Sequence, residues 1–217
     1  LALDDRTTDK TAKLARKHGA EIHRFQMCET HTCPQHGTIQ AQHFARARNF
    51  SFAHRDPSLA WTGWLDADDV MQRADLLPAL CRTTPEDAIG VWFEYLYAYA
   101  RRADGGIVPT TTFHRERVFR TRQHEAPVTW DWQYRVHEVC APTLPGGQQP
   151  RWLINDEIKI LHQDGAHKSE SSAARNLTLL EIDYEENPTD SRTLFYIGNQ
   201  YFAQGQWLQA TFWYEKL

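Results

Sequence analysis

The sequence predicts an α/β domain followed by helical hairpins, and three observations carry that prediction. Strand, helix and strand succeed one another within the first 25 residues, the alternation from which α/β layers are built. An apolar run, Ala60-Trp61-Thr62-Gly63-Trp64-Leu65, empties into the carboxylates Asp66, Asp68 and Asp69, as strands do at the ligand-bearing edge of an open sheet. Near residue 165 the pattern turns helical and stays so to the end. The expected division is 1–165 for the α/β domain and 166–217 for the helical tail.

Taken in order, Leu1-Ala2-Leu3 reads as the end of a buried strand. Thr7, Thr8 and Asp9 are good cap residues for a helix carrying Ala12, Leu14 and Ala15, and Gly19 closes it. Glu21 to Phe25 is a short strand. Residues 27–38 read as irregular, and 40–54 as a helix with Phe44, Ala47, Phe50 and Ala53 on one face. After the acidic cluster a helix is expected near 72–82, then strands over Val91–Tyr99, Thr111–Arg120, 133–140 and 151–161. Pro142, Pro145, Gly146 and Gly147 mark a loop between the last two. In the tail, Leu177, Leu180 and Tyr184 define one helix, Asn187-Pro188 breaks it, and Leu194, Ile197 and Tyr201 define a second that Gly205 ends. A third begins at Trp207.

Bulk properties narrow the function. A chain of 217 residues with 41% hydrophobic residues can bury a proper core. The net charge is -4 and no Lys/Arg block stands out, so nucleic acid is not an indicated partner. No apolar run approaches the roughly 20 residues of a membrane span. Four cysteines in this length do not make a disulfide framework. The default expectation is a cytoplasmic location.

Asp-x-Asp after a strand has a clear chemical use. Mn²⁺ and Mg²⁺ are often held by one or two carboxylates plus substrate phosphates, and Asp66 and Asp68 can supply them. The metal then stabilises charge on a departing diphosphate. The competing reading is a cap, in which Asp68 or Asp69 starts the helix near residue 72.

Three motifs in order add a resemblance. Leu3-Asp4-Asp5-Arg6-Thr7-Thr8-Asp9-Lys10-Thr11, then Ala47-Arg48-Asn49, then Leu65-Asp66-Ala67-Asp68-Asp69 resemble the family 2 glycosyltransferases of GT-A fold. The branch with a Val-His-Glu element and a tetratricopeptide-repeat tail is the most similar. The resemblance implies a nucleotide-diphospho-sugar transferase fold with a mixed central sheet. It implies that Asp4, Asp5 and Asp9 contact the nucleoside, that Arg48 approaches the base or phosphates, that Asp66 contacts ribose or metal and Asp68 the metal. The family's first strand falls before Leu1, so the chain reads as N-terminally truncated, with a tail that stops inside a helix.

Inverting sugar transfer needs a carboxylate to take the acceptor's proton. Within Trp130-Asp131-Trp132-Gln133-Tyr134-Arg135-Val136-His137-Glu138, Glu138 is the first candidate and Asp131 the second. The bland alternative is a strand with a satisfied His and an exposed Glu. His162, after the apolar Ile158–Leu161, is placed to complete a metal shell, or is structural. Trp130, Trp132, Trp92, Tyr95 and Tyr97 can stack on sugars but suit a core better.

Cys28, His31, Cys33 and His36 can bind zinc in principle. Their interleaved spacing is not that of a finger, and a flexible loop is the favoured reading. Cys81 and Cys140 read as ordinary core residues. In the tail, Pro188, then Ile197-Gly198-Asn199-Gln200-Tyr201, Gly205, Ala210 and Tyr214 fit a tetratricopeptide-like repeat. Gly198 and Ala210 allow close helix approach, and Tyr201 and Tyr214 fill the gap.

The expected function is an inverting, metal-dependent glycosyltransferase using Mn²⁺ or Mg²⁺. Its donor is a nucleotide-diphosphate sugar, a UDP-sugar first, and its acceptor a hydroxyl on a protein, peptide or glycan. The alternative is an inactive transferase-like scaffold that binds proteins through its repeats.

Overall fold

The computed structural model describes residues 1–124, 126–163 and 170–217. It is a mixed α/β structure with a mixed sheet and, among the described residues, six α-helices. Two compact units form. One gathers Leu1–His54, Trp130–Ala141 and Ser169–Leu217, and the other Arg55–Thr129 and Pro142–Lys168. The division expected at 165/166 falls in 164–169, outside the described residues.

In the first unit, β1 (Ala2–Asp4), α1 (Thr11–Lys17) and β2 (His23–Phe25) form the expected strand, helix and strand, with β1 and β2 parallel. Asp9 caps from just outside the helix, its carboxylate accepting the Thr11 N–H at 2.8 Å. Residues 27–38 are not irregular. They belong to a hairpin of β3 (Cys28–Cys33) and β4 (Gly37–Gln42), turning through Pro34-Gln35-His36. β-branched Thr30 and Thr32 favour the strand, and Gly37 takes the positive φ of 64° that the turn needs. The helix read as 40–54 is correspondingly shorter: α2 spans Phe44–Ala53.

The second unit is built on five strands ordered β5-β8-β7-β13-β6. β5 (Trp61–Gly63) is followed by β6 (Asp69–Gln72), a 3₁₀ turn at Ala74–Leu76 and α3 (Leu77–Thr83). The helix expected near 72 thus starts at 77, with Pro78 in its first turn. β7 (Ala88–Arg101) and β8 (Ile107–Arg120) are a long antiparallel pair, followed by the short β9 (Arg122–Gln123) and β10 (Ala126–Pro127). Val91, Phe93, Tyr95, Val118, Ile158 and Ile160 make the core, and Leu77, Leu80 and Cys81 of the α3 region pack on it.

β11 (Thr129–Gln133) and β12 (Val139–Thr143) pair with each other. The strand expected over 133–140 is therefore split. Tyr134 and His137 have φ of 73° and 54°, and a strand cannot pass through left-handed residues. Val136-His137-Glu138 lies in the turn between the two strands. β13 (Arg151–His162) runs parallel to β7 and antiparallel to β6, which makes the sheet mixed.

The tail forms α4 (Glu170–Glu186), α5 (Ser191–Ala203) and α6 (Trp207–Tyr214). The break falls at Asn187-Pro188 as expected. Asp190 restarts the helix, its carboxylate accepting the Thr193 N–H at 2.7 Å. Leu179, Leu180, Ile182 and Ile197 pack with Ala41 and Val136 in the first unit's core. No helix among the described residues is long and apolar enough to cross a membrane.

Gly198 sets the approach of α5 and α6. A Cβ there would sit 2.3 Å from Cε1 of Tyr214, and the Tyr214 hydroxyl is tied to Asn199 Oδ1 at 2.7 Å. The ring cannot swing aside without losing that bond. Gly198→Ala should therefore destabilise the chain by about 1–3 kcal/mol through overpacking, despite alanine's better helix propensity. Urea unfolding checks this; an unchanged or raised midpoint would show that the two helices are free to separate.

Candidate functional site

The sheet edge where β6 begins and β13 ends carries a polar cluster of the second unit. Asp69 and His162 are register partners across these antiparallel strands, so their side chains emerge on one face. The ladder is extended by Gln163 N–H donating to the Asp68 carbonyl at 2.7 Å. His162 Nδ1 lies 3.3 Å from Asp69 Oδ1 and 3.8 Å from Asp68 Oδ2. One ligand atom from each of Asp68, Asp69 and His162 falls within 4.8 Å of the others.

The Asp69 side chain is the most enclosed of the three, 0% exposed beside 11% for His162. Arg117 of β8 donates to its Oδ2 at 2.6 Å, and the Tyr95 hydroxyl donates to its Oδ1 at 2.8 Å. The guanidinium lies 3.7 Å from the Trp64 ring centroid, a cation–π contact made stronger by desolvation. Burial lowers the Arg117 pKa, opposed by the charges of Asp69 and Asp66. Burial raises that of Tyr95, helped by its bond to Asp69. Tyr95 thus stays a neutral donor, its hydroxyl also 3.0 Å from His162 Nδ1. The cap reading of Asp69 is overturned, because Asp69 opens a strand eight residues before α3 begins.

Asp68 is the exposed carboxylate of the group, and Asp66 is half-buried, its carbonyl accepting the Asp69 N–H at 3.0 Å. Of the expected metal residues, Asp68 and His162 come together, with Asp69 as the third member; Asp66 is not in that group. Two carboxylates and one imidazole suit Mn²⁺, and the oxygen donors alone suit Mg²⁺. Of the aromatics, Trp130, Trp132 and Tyr95 are buried. Tyr97 is exposed and stacks on His162, with centroids 5.3 Å apart and planes 9° from parallel.

In the first unit, Asp4 is held by Arg6. The guanidinium donates to both carboxylate oxygens at 3.0 Å, and the Arg6 N–H adds a bond at 2.8 Å. These contacts hold the Asp4 pKa below the usual carboxylate range. Arg24 ties the same loop by donating to the carbonyls of Asp4 and Thr7 at 3.0 and 3.1 Å. Asp5 and Asp9 are exposed.

Ala47-Arg48-Asn49 and the 130–138 segment meet within this unit. Asn49 clamps β11: its amide donates to Asp131 Oδ1 and to the Trp132 carbonyl at 3.0 Å each, and its oxygen accepts the Trp132 N–H at 2.8 Å. Arg48 Nε lies 3.6 Å from Glu138 Oε1, with the guanidinium 5.1 Å from the Trp132 ring centroid. Glu138 is buried, against the bland expectation of an exposed Glu, whereas Asp131 is exposed. His137 stacks on Tyr196 of α5, 4.2 Å away and 8° from parallel.

Compared with known proteins, the chain matches no family model and no curated protein. The chemistry of the sites therefore carries the functional argument. Arg117 and Tyr95 were not expected as partners of the acidic cluster. Arg117 has no sequence signal of its own, since Arg115, Glu116 and Arg120 stand beside it in the same strand.

Removing the Asp69 carboxylate leaves Arg117 buried without its nearest counter-charge. Asp69→Ala should cost about 3–5 kcal/mol, the penalty for breaking a buried pair. Asp68→Ala, at an exposed position, should stay within about 0.5 kcal/mol. Guanidinium unfolding of both variants separates the roles; equal losses would mean that the two acids share one function.

Proposed function

We propose that this protein is a metal-dependent glycosyltransferase of the GT-A class that transfers sugar from a nucleotide diphosphate with inversion. The observation that carries the proposal is the strand-edge group of Asp68, Asp69 and His162, with ligand atoms within 4.8 Å of one another. Asp68 and His162 would hold a divalent cation there, with Asp69 fixing the imidazole, and the cation would supply charge stabilisation for a leaving diphosphate. Asp66, on the same turn, suits a contact to ribose or to the metal. Asp4, Asp5, Asp9 and Arg48 carry the nucleoside and phosphate roles that the resemblance implies. A UDP-sugar is the first donor to test.

Two carboxylates compete for the proton of the acceptor hydroxyl. Glu138 has the Val-His-Glu context but is buried beside Arg48. Asp131 is exposed and oriented by Asn49. A base must reach the proton it removes, so Glu138 acts only when its contact with Arg48 opens.

A second reading, protein binding through the helical tail, has its own support. Phe195, Phe202, Trp207, Leu208 and Phe212 of α5 and α6 are exposed large apolar residues, which mark contact surfaces when they cluster. A tetratricopeptide-like tail that docks a protein acceptor accommodates both readings.

A thermal-shift panel of nucleotide sugars, each with and without Mn²⁺, tests the proposal. At a donor concentration near 100 times Kd, ligand linkage amounts to about 2.7 kcal/mol, a clear rise in Tm. The rise should need Mn²⁺ and vanish in Asp68→Ala. A panel with no metal-dependent shift would sink the transferase reading. With a responding donor, Glu138→Gln and Asp131→Asn assign the base. The correct variant loses transfer by about 10²–10⁴-fold while keeping donor binding.

A further inference from the structure

A second cluster lies in the first unit, where the β3–β4 hairpin meets α4. His31 and Cys33 are two residues apart on β3 and so point to one side of the strand. Glu181 and Glu185 are four apart on α4 and so share one face of the helix. One ligand atom from each of His31, Cys33 and Glu185 lies within 4.8 Å of the others. We propose that these three residues bind a zinc-class divalent cation. The site is distinct from the carboxylate-rich group at the sheet edge and does not depend on the transferase reading.

Three observations point to a metal rather than to a packed polar contact. His31 Nε2 is buried and makes no hydrogen bond, although Glu185 Oε2 is 3.6 Å away. That separation is too long for a hydrogen bond. It matches the roughly 3.3–3.7 Å between neighbouring ligand atoms of a tetrahedral zinc, given bonds of about 2.0–2.3 Å. Cys33 Sγ accepts the His36 main-chain N–H at 3.3 Å, a bond that holds the sulfur in place. The His36 ring in turn pairs with Glu181, Nε2 to Oε2 at 3.0 Å, and so orients the turn carrying that N–H, as outer partners do around metal ligands.

The donor set selects the ion. Thiolate and imidazole favour zinc over Mg²⁺ or Mn²⁺, and three protein ligands leave the fourth position to water. As the zinc–sulfur bond forms, the Cys33 thiol proton passes to solvent, so affinity rises with pH. Cys28 is not a ligand. It stands at the other end of β3, five residues from Cys33 and therefore on the opposite face.

The test uses the whole chain, stripped with chelator and titrated with Zn²⁺ alone and with Co²⁺ as a coloured substitute. One Cys33-dependent equivalent of zinc should bind, and the Co²⁺ form should show a near-ultraviolet sulfur-to-metal charge-transfer band. Cys33→Ser should abolish the band, while Cys28→Ser and Asp68→Ala should leave it intact. Glu185→Gln should weaken binding at least about tenfold. His31→Ala, which keeps every cysteine, provides a second loss-of-binding variant should Cys33→Ser fail to fold. No band in the wild-type chain, a band that survives Cys33→Ser, or one lost in Cys28→Ser overturns the proposal.

Discussion

The ion pair between Asp69 and Arg117 is the constraint on which the sheet-edge site depends. Both side chains are out of water, at 0% and 1% exposure. An uncompensated charge at such depth costs several kcal/mol. Each partner makes a further contact. Asp69 also accepts from Tyr95, and Arg117 lies against the Trp64 ring. The main chain reinforces the arrangement, since Trp64 N–H donates to the Arg117 carbonyl at 3.1 Å and Gln163 N–H to the Asp68 carbonyl at 2.7 Å. The Trp64–Asp69 segment is thus pinned at both ends. Asp68 is held at a fixed, exposed position beside His162 without having to be buried itself.

The first unit uses an arginine in a comparable way. Arg135 donates to Asp183 at 2.6 Å, to Glu186 at 2.6 and 2.7 Å and to Glu29 at 3.0 Å. One guanidinium therefore binds the hairpin strand β3, through Glu29, to α4. Burial raises the Asp183 pKa even against Arg135, while the bond to Arg135 holds Glu186 below its usual range. The planar fork with five donors permits this three-way arrangement, which a lysine could not copy. It also fixes the start of the Val136–Glu138 turn and the face of α4 presented to His31 and Cys33.

Much of this was legible in the sequence, and the misreadings have physical reasons. The β1–α1–β2 succession, the break at Asn187-Pro188 and the packing role of Gly198 follow from periodicity and turn chemistry. His162 was recognisable as a polar residue ending an apolar strand. Asp69 was misread because an aspartate before a helical segment looks like a cap. Only the pairing of Val70 and Met71 with Leu161 and Ile160 makes residues 69–72 a strand, and pairing is not a local property. The Cys28–Gln42 hairpin was missed because its polar residues alternate without an apolar face. Its burial comes from α4, more than 130 residues away. Val136–Glu138 was read as strand because neither tyrosine nor histidine announces a left-handed backbone.

The two clusters differ in the chemistry they offer, and that difference is itself informative. At the sheet edge, two carboxylates and one imidazole stand beside a neutral tyrosine. Such a donor set suits a hard cation and leaves coordination positions for other oxygen ligands. Under the hairpin, a cysteine sulfur replaces one carboxylate, and each group combines one buried, one half-buried and one exposed residue. Softer ligands favour retention over exchange. Metals offered to this chain should therefore sort by softness rather than by overall charge. On the two proposals, a readily exchanging cation belongs to Asp68 and His162, and one that survives dialysis belongs to Cys33. The sorting follows from ligand chemistry alone.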